Sequence, residues 1–201
     1  MRSVSLALVM FVSCSKASGP EKCGETYFCD VSSGKELLSK YWETNLSQIL
    51  KAMNEAPLRK YSGLQSARCT VMPPFGNSLS VRLRGTEFKG HELAIVSKRL
   101  GVGRTNEPGE LVAEAETKLD ESEMRSVREM LSGLQANRLP SQDRSSWTST
   151  DAVVYLLETQ TGGEYQVLLR GNAPEAKVLQ ICEWLLAHSS LKTRWPKGRE
   201  E

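Results

Sequence analysis

Leu79-Ser80-Val81-Arg82-Leu83-Arg84 alternates apolar and polar residues without a break. That period of two is the mark of a half-buried strand, with Leu79, Val81 and Leu83 inward and Ser80, Arg82 and Arg84 outward. Working outward, Gly85 and Gly90 bracket a turn, and Glu92 to Leu100 and Leu111 to Lys118 read as further strands. The glycine-rich stretch 101–109 between them reads as a loop. Later in the chain, Asp151 to Glu158 and Glu164 to Arg170 form another strand pair, and Gly162-Gly163 between them is a tight-hairpin signal.

Helices separate these groups. Ser33 with Glu36 has the form of a capping box. Apolar positions follow at helical spacing, from Leu37 and Leu38 through Leu46 and Leu50 to Met53, and predict a helix ending near Ala56, before Pro57. Asp120 and Glu123 predict a second helix start, with Met124, Val127, Leu131 and Leu134 as its inner seam and Pro140 at its exit. Asn172, Pro174 and Glu175 predict the start of a third, with Val178, Ile181, Cys182, Leu185 and Leu186 inward. Strands in groups with helices between them argue for an α+β fold, a mainly antiparallel sheet covered by about three helices.

The 201 residues suit a single domain over 32–191, preceded by 1–17 and 18–31 and followed by a charged tail, 192–201, expected to fray. Hydrophobic residues are 39% and charged residues 25%, a soluble globular balance. The net charge of +2 provides no strong field for nucleic acid, which is excluded as an expected partner. Arg2 precedes an apolar run from Val4 to Val12 that is too short to cross a bilayer as a helix. A positive start, a short apolar core and small residues after it read as an export signal over 1–17. Residues 18–31 read as a tether.

Phe11-Val12-Ser13-Cys14 resembles the lipobox of bacterial lipoproteins, with Phe11 where that family prefers Leu. The resemblance implies an acylated Cys14 and a lipid anchor in the periplasm or on the inner or outer membrane. Cleavage near Ala17 is the alternative, and it gives a soluble secreted chain. Of the five cysteines, Cys23, Cys29, Cys69 and Cys182 remain for bridging in either case, with three possible connectivities. A Cys23–Cys29 bridge is easy to close and worth roughly 2 kcal/mol in the chain-entropy account. Cys69 and Cys182 then pair or stay as buried thiols.

The segment from Leu139 to Leu186 is similar to a broad group of uncharacterised bacterial proteins. The matching elements are Leu139-Pro140-Ser141, the strand Asp151 to Glu158 with Tyr155 three residues before its Glu, Gly162-Gly163-Glu164-Tyr165, Pro174 and Cys182. The resemblance implies an α+β unit and no particular activity.

Chemistry-bearing motifs are sparse. The only histidines are His91 and His188; the sequence contains no HExxH, no G-x-S-x-G and no His-Cys-Asp spacing suited to a metal. Ser33-Gly34-Lys35 lacks the upstream glycine of a phosphate loop, and Gly101-Val102-Gly103 lacks the third glycine of a dinucleotide fingerprint. No cofactor is therefore expected. Glu114 and Glu116 share a strand face and read as a solvated side. Glu158 and Tyr165 read as a structural pair across the hairpin. Arg82, Arg84, Lys98, Arg99 and Arg104 form a basic face if their strands are neighbours, suited to an acidic protein partner. Trp147, set among small polar residues, is the type of side chain that anchors a partner, as is Trp195.

These features describe a non-catalytic envelope binding protein, of inhibitor, immunity or assembly type. Its expected partners are an envelope protein and the membrane, the latter through a lipid on Cys14. Its candidate contacts are Trp147, Arg82 and Arg84. The alternative is an envelope hydrolase with a carboxylate site or a Cys29 or Cys69 nucleophile near His91. A small-ligand carrier would need an apolar cavity.

Overall fold

The computed structural model describes residues 27–30, 35–61, 66–74, 76–85, 93–103, 107–135, 139–141, 152–161, 164–171 and 174–191. The chain begins with two short paired strands, β1 (Cys29–Asp30) and β2 (Lys35–Glu36), followed by helix α1 (Lys40–Ala52) and a 3-10 turn (Leu58–Tyr61). Strands β3 (Ser66–Met72), β4 (Leu79–Gly85), β5 (Leu93–Leu100) and β6 (Leu111–Lys118) form an antiparallel meander. Helix α2 (Glu121–Gln135) then crosses back, and the hairpin β7 (Val154–Thr161) and β8 (Glu164–Arg170) joins the far side of β3. Helix α3 (Ala176–Ala187) follows. The result is one six-stranded sheet in the order β6-β5-β4-β3-β7-β8, antiparallel throughout, with three helices packed on it. The α+β expectation holds.

Strand alternation sorts the side chains between two layers. Ala67, Cys69 and Val71 of β3, Leu79, Val81 and Leu83 of β4, Leu93 and Ile95 of β5, and Tyr155 and Leu157 of β7 make one face. Helices α2 and α3 cover it with Val127, Leu131, Leu134, Val178, Ile181, Cys182 and Leu185. A disulfide joins Cys69 to Cys182 with their Cα atoms 5.5 Å apart, fastening α3 to the centre of the sheet. Of the alternatives open in the sequence, these two cysteines therefore pair. Cys14 and Cys23 lie outside the described residues.

On the other face, α1 and the segment around Tyr27 and Phe28 pack on Met72, Val154, Leu156, Val167 and Leu169 through Leu38, Leu46 and Leu50. With both faces covered, β3 is buried along its whole length. It reads Ser-Ala-Arg-Cys-Thr-Val-Met, without the alternation that betrays a half-exposed strand, which is why the sequence pattern passes over it.

Two helix starts differ from expectation. The first helix begins at Lys40 with Ser39 as N-cap, because Glu36 belongs to β2 and Leu37 is held by its N–H bonding to the Phe28 carbonyl (3.1 Å). Ser33 lies outside the described residues. The third helix begins at Ala176 with Glu175 as N-cap and no side-chain cap, because the Glu175 carboxylate is engaged by Arg170 Nε at 2.6 Å and 2.8 Å. Pro174 precedes that helix, and Asn172 lies outside the described residues. The second start is as expected. The Glu123 N–H donates to Asp120 Oδ1 (2.8 Å) and the Asp120 N–H to Glu123 Oε2 (2.7 Å), a reciprocal capping box.

Gly101 and Gly103 have a structural role. The Gly101 N–H bonds to the Glu110 carbonyl (2.8 Å), and a Cβ on Gly103 or Gly109 would run into facing backbone. Both glycines let the β5–β6 loop close on itself.

Candidate functional site

Among the described residues, a dense cluster of charge lies under α1, on the sheet face opposite the disulfide. The end of α1 explains how it forms. Met53 is the C-cap and Asn54 takes φ 54°, the left-handed conformation that a short polar side chain tolerates. The Glu55 N–H bonds back to Leu50 O (2.9 Å) and the Asn54 N–H to Lys51 O (2.9 Å), the paired bonds of a Schellman turn. That turn points Glu55 down onto the sheet.

Three cations meet it there. Glu55 Oε2 lies 2.7 Å from Arg82 Nε and 3.3 Å from Arg68 Nη1, and Glu55 Oε1 lies 3.4 Å from Lys98 Nζ. Arg68 and Arg82 sit directly opposite each other on β3 and β4, a repulsive cross-strand pair that Glu55 bridges. On its other side Arg68 faces Glu158 in register on β7 and holds it with two bonds, Nε to Oε2 (2.6 Å) and Nη2 to Oε1 (2.8 Å). This planar two-point pairing suits guanidinium and carboxylate. The remaining Arg68 nitrogen donates to Ala56 O (2.9 Å). Lys98 Nζ donates to Met53 O (3.0 Å) and Asn54 O (3.3 Å), placing a cation on the negative end of the α1 dipole.

Two tyrosines close the cluster. The Tyr165 hydroxyl donates to Glu158 Oε1 (2.8 Å), and the Tyr27 hydroxyl to Glu55 O (2.7 Å). Burial, and then the neighbouring Glu158 carboxylate, push Tyr165 well above the ordinary phenol value. Burial is also the largest cause of the upward shift of Tyr27. Arg68 is held firmly protonated, its burial outweighed by Glu158 and Glu55.

The side chains of Arg68 and Glu158 are 0% exposed and that of Glu55 is 1% exposed. Three cations face two buried carboxylates, and Glu114, half-exposed on β6 and 3.4 Å from Lys98, supplies the third negative charge. A neutral and largely buried cluster can hold α1 to the sheet, although Glu55 Oε1 meets Lys98 only as an ion pair at 3.4 Å and accepts no hydrogen bond. Its two buried carboxylates, Glu55 and Glu158, are each held by arginine.

Outside α1 the same face is open. Arg84 Nη2 pairs with Glu116 Oε1 at 2.8 Å, and the two side chains are 40% and 48% exposed. The predicted basic face is thus divided. Its strands are neighbours, but Arg82 and Lys98 are turned under α1, and Arg99 alternates to the opposite face. Of the two arginines expected to meet a partner, only Arg84 reaches solvent; Arg82 is 7% exposed and engaged by Glu55. Glu114 and Glu116 lie on one strand face and about half in solvent, as expected. Trp147, Arg104 and His91 lie outside the described residues. Cys29 falls in β1.

Cys69 is bonded to Cys182 and fully buried, so it is not a nucleophile. His188 caps α3, stacked on Trp184 (3.9 Å between ring centroids) with Nε2 3.7 Å from Glu123. Among the described residues no group of His, Cys, Asp and Glu could hold a metal ion, and no helix is long and apolar enough to cross a membrane. A shallow depression along α2 is lined by Glu121, Met124, Arg125, Arg128, Glu129 and Ser132, all from one helix. Sequence reasoning found the Glu158–Tyr165 pair but missed Arg68, Glu55 and Tyr27. Asn54 just before Glu55 was the one available signal, since asparagine favours a left-handed helix end.

In the comparisons with known proteins, no family model, no curated protein and no solved structure matches the chain.

Proposed function

We propose that this chain is an exported, non-catalytic binding protein of the cell envelope, anchored by a lipid on Cys14 and acting on an envelope protein as an inhibitor, immunity or assembly factor. The observation that carries this reading is the Cys69–Cys182 disulfide, which ties the middle of the sheet to α3 across 113 residues. Such buried cross-links form and persist in oxidising compartments and are rare where thiols are kept reduced. The signal-like start and the cysteine following Phe11-Val12-Ser13 agree with that compartment. The enclosed state of the ion cluster favours binding over catalysis, because its carboxylates are held by arginines. Arg84 beside Glu116 and the Trp147 segment are the contacts offered to a partner.

The test places a photo-crosslinkable residue at position 84 or 147 in the native cell, with irradiation before the envelope is isolated. One envelope protein captured repeatedly at either position supports the reading. Irradiated envelopes that yield no adduct at either position contradict it.

A further inference from the structure

Helix α1 has two unlike faces. Leu46 and Leu50 turn to the sheet. Lys40, Tyr41, Thr44, Gln48 and Lys51 are exposed, and their helical spacing makes them one outward stripe. That stripe carries two cations and no acid. The acidic residue of α1 is Glu43, and it is turned inward. Its Oε1 accepts from the Tyr27 N–H (2.9 Å) and the Ser47 hydroxyl (3.1 Å), and its Oε2 is buried. In the first turn Tyr41 is 68% exposed and meets Trp42 edge to face, with ring centroids 5.1 Å apart. The layer on the far side of the sheet is different. The outer surface of α2 mixes Glu121 and Glu129 with Arg125 and Arg128, and that of α3 offers Glu183 as well as Lys177.

We propose that, in the chain anchored at Cys14 by the lipid already proposed, the outer stripe of α1 lies against an anionic lipid surface. Lys40 and Lys51 meet the headgroup phosphates and Tyr41 sits at headgroup level. Three observations carry this. The first is position. The described chain starts along α1, with the Tyr27 N–H on Glu43 and the Tyr27 hydroxyl on the Glu55 carbonyl past the helix end. Cys14 is 13 residues before Tyr27. A segment of that length spans ~20 Å as a flexible coil, less than the roughly 30 Å depth of a helix, a sheet and a second helix stacked together. An anchor there brings the α1 layer to the bilayer before the α2 and α3 layer. The second is charge, because a face with lysines and no carboxylate is attracted to anionic headgroups. The third is the aromatic pair, since tyrosine and tryptophan favour the boundary between water and acyl chains. The apolar face of α1 is occupied by the sheet, so the contact is made at the headgroups, without insertion into the hydrocarbon.

An acidic protein surface fits the same two lysines. The lipid surface is favoured because the anchor holds α1 beside it at a high effective concentration.

Lysine acetylation read by mass spectrometry tests this. The full-length protein purified from its native membrane is compared in neutral detergent, in phosphatidylcholine vesicles, and in vesicles that also contain phosphatidylglycerol. Lys177, exposed on α3, is the internal reference. The expected result is that Lys40 and Lys51 slow about fivefold or more relative to Lys177 on passing from detergent to the phosphatidylglycerol vesicles. Most of that slowing should be absent in pure phosphatidylcholine and reduced in Tyr41→Ser, a change at an exposed position. Unchanged ratios on the phosphatidylglycerol vesicles overturn the proposal. So does equal slowing of all three lysines, which reports crowding rather than one face. Slowing in native membranes but not on the vesicles assigns the stripe to a protein and also overturns it. Full slowing kept in Tyr41→Ser overturns the part given to the tyrosine. The intact mass of the same sample separates this contact from the anchor. An acylated chain with unchanged ratios overturns the α1 contact alone, and a chain without acyl mass that stays off the vesicles overturns both.

Discussion

Arg68 has no exposed side-chain surface, and every direction its guanidinium faces is answered: Glu158 twice, Glu55 once and the Ala56 carbonyl once. Replacing it with Met leaves Glu158 buried and without its cation. Arg68→Met should therefore destabilise by about 3–5 kcal/mol, read from the urea midpoint at constant m-value. A loss under 1 kcal/mol would show that the cluster is weakly held. The tyrosines give the cluster an alkaline limit. The Tyr165 phenol is raised in the folded chain, so folding favours the protonated form. Its contribution is complete below about pH 10, where the unfolded phenol also keeps its proton, and is lost as pH rises further. Stability should fall as pH rises above about 10, and Tyr165→Phe should flatten that fall while weakening the protein near neutrality. An unchanged slope in the variant would assign the alkaline transition elsewhere. At this scale the sequence revealed one pair, Glu158 and Tyr165, because a hairpin with a two-residue turn fixes which side chains are near each other. Arg68 was illegible because one partner, Glu158, lies 90 residues on in β7 and the other, Glu55, is aimed at it only by the turn that ends α1.

Element boundaries depend on a few backbone bonds. Helix α1 stops because Asn54 accepts φ 54°, and that turn aims Glu55 at three cations. Asn54→Ala should cost about 1 kcal/mol, since alanine resists the left-handed region, whereas Asn54→Gly should be neutral or mildly stabilising. Equal effects from the two substitutions, measured by thermal unfolding, would remove the turn from this account. The α2 capping box gives an acid counterpart. The Glu123 N–H and the Ser122 hydroxyl hold the Asp120 carboxyl below its ordinary value of 3.8. Its contribution is present above that value and lost as pH falls through the lowered one, and Asp120→Asn should reduce that acid sensitivity. This cap was legible because both partners lie within four residues. Strand β3 was not, since burial on both faces erases alternation. The start of α1 was misplaced because Ser33 and Glu36 have capping-box spacing while Glu36 is drawn into pairing with Cys29.

Among the described residues, a disulfide and an ion cluster fasten opposite layers to the same strand. Cys69 points to α3 and its neighbour Arg68 points to the turn after α1. Strand alternation makes β3 the strand to which both covering layers are tied. Removing the disulfide as Cys69→Ala/Cys182→Ala frees a loop of 113 residues in the unfolded chain, which should lower stability by about 4–5 kcal/mol in the chain-entropy account. Reductant should lower the stability of the natural chain by clearly more than that of the double variant. The fold class was visible in the sequence because alternating strands and spaced helices are local signals. The strand order was not, because β7 meets β3 across about 90 residues.

We propose that this chain leaves the cytoplasm and folds around the Cys69–Cys182 link. The most direct test is the intact mass, with and without reduction, of the protein purified from its native membrane fraction. The account predicts a chain that begins at Cys14, carries added acyl mass, and gains two hydrogens on reduction of that link. A chain that still begins at Met1, with Cys69 and Cys182 both reactive as free thiols once unfolded, would contradict it.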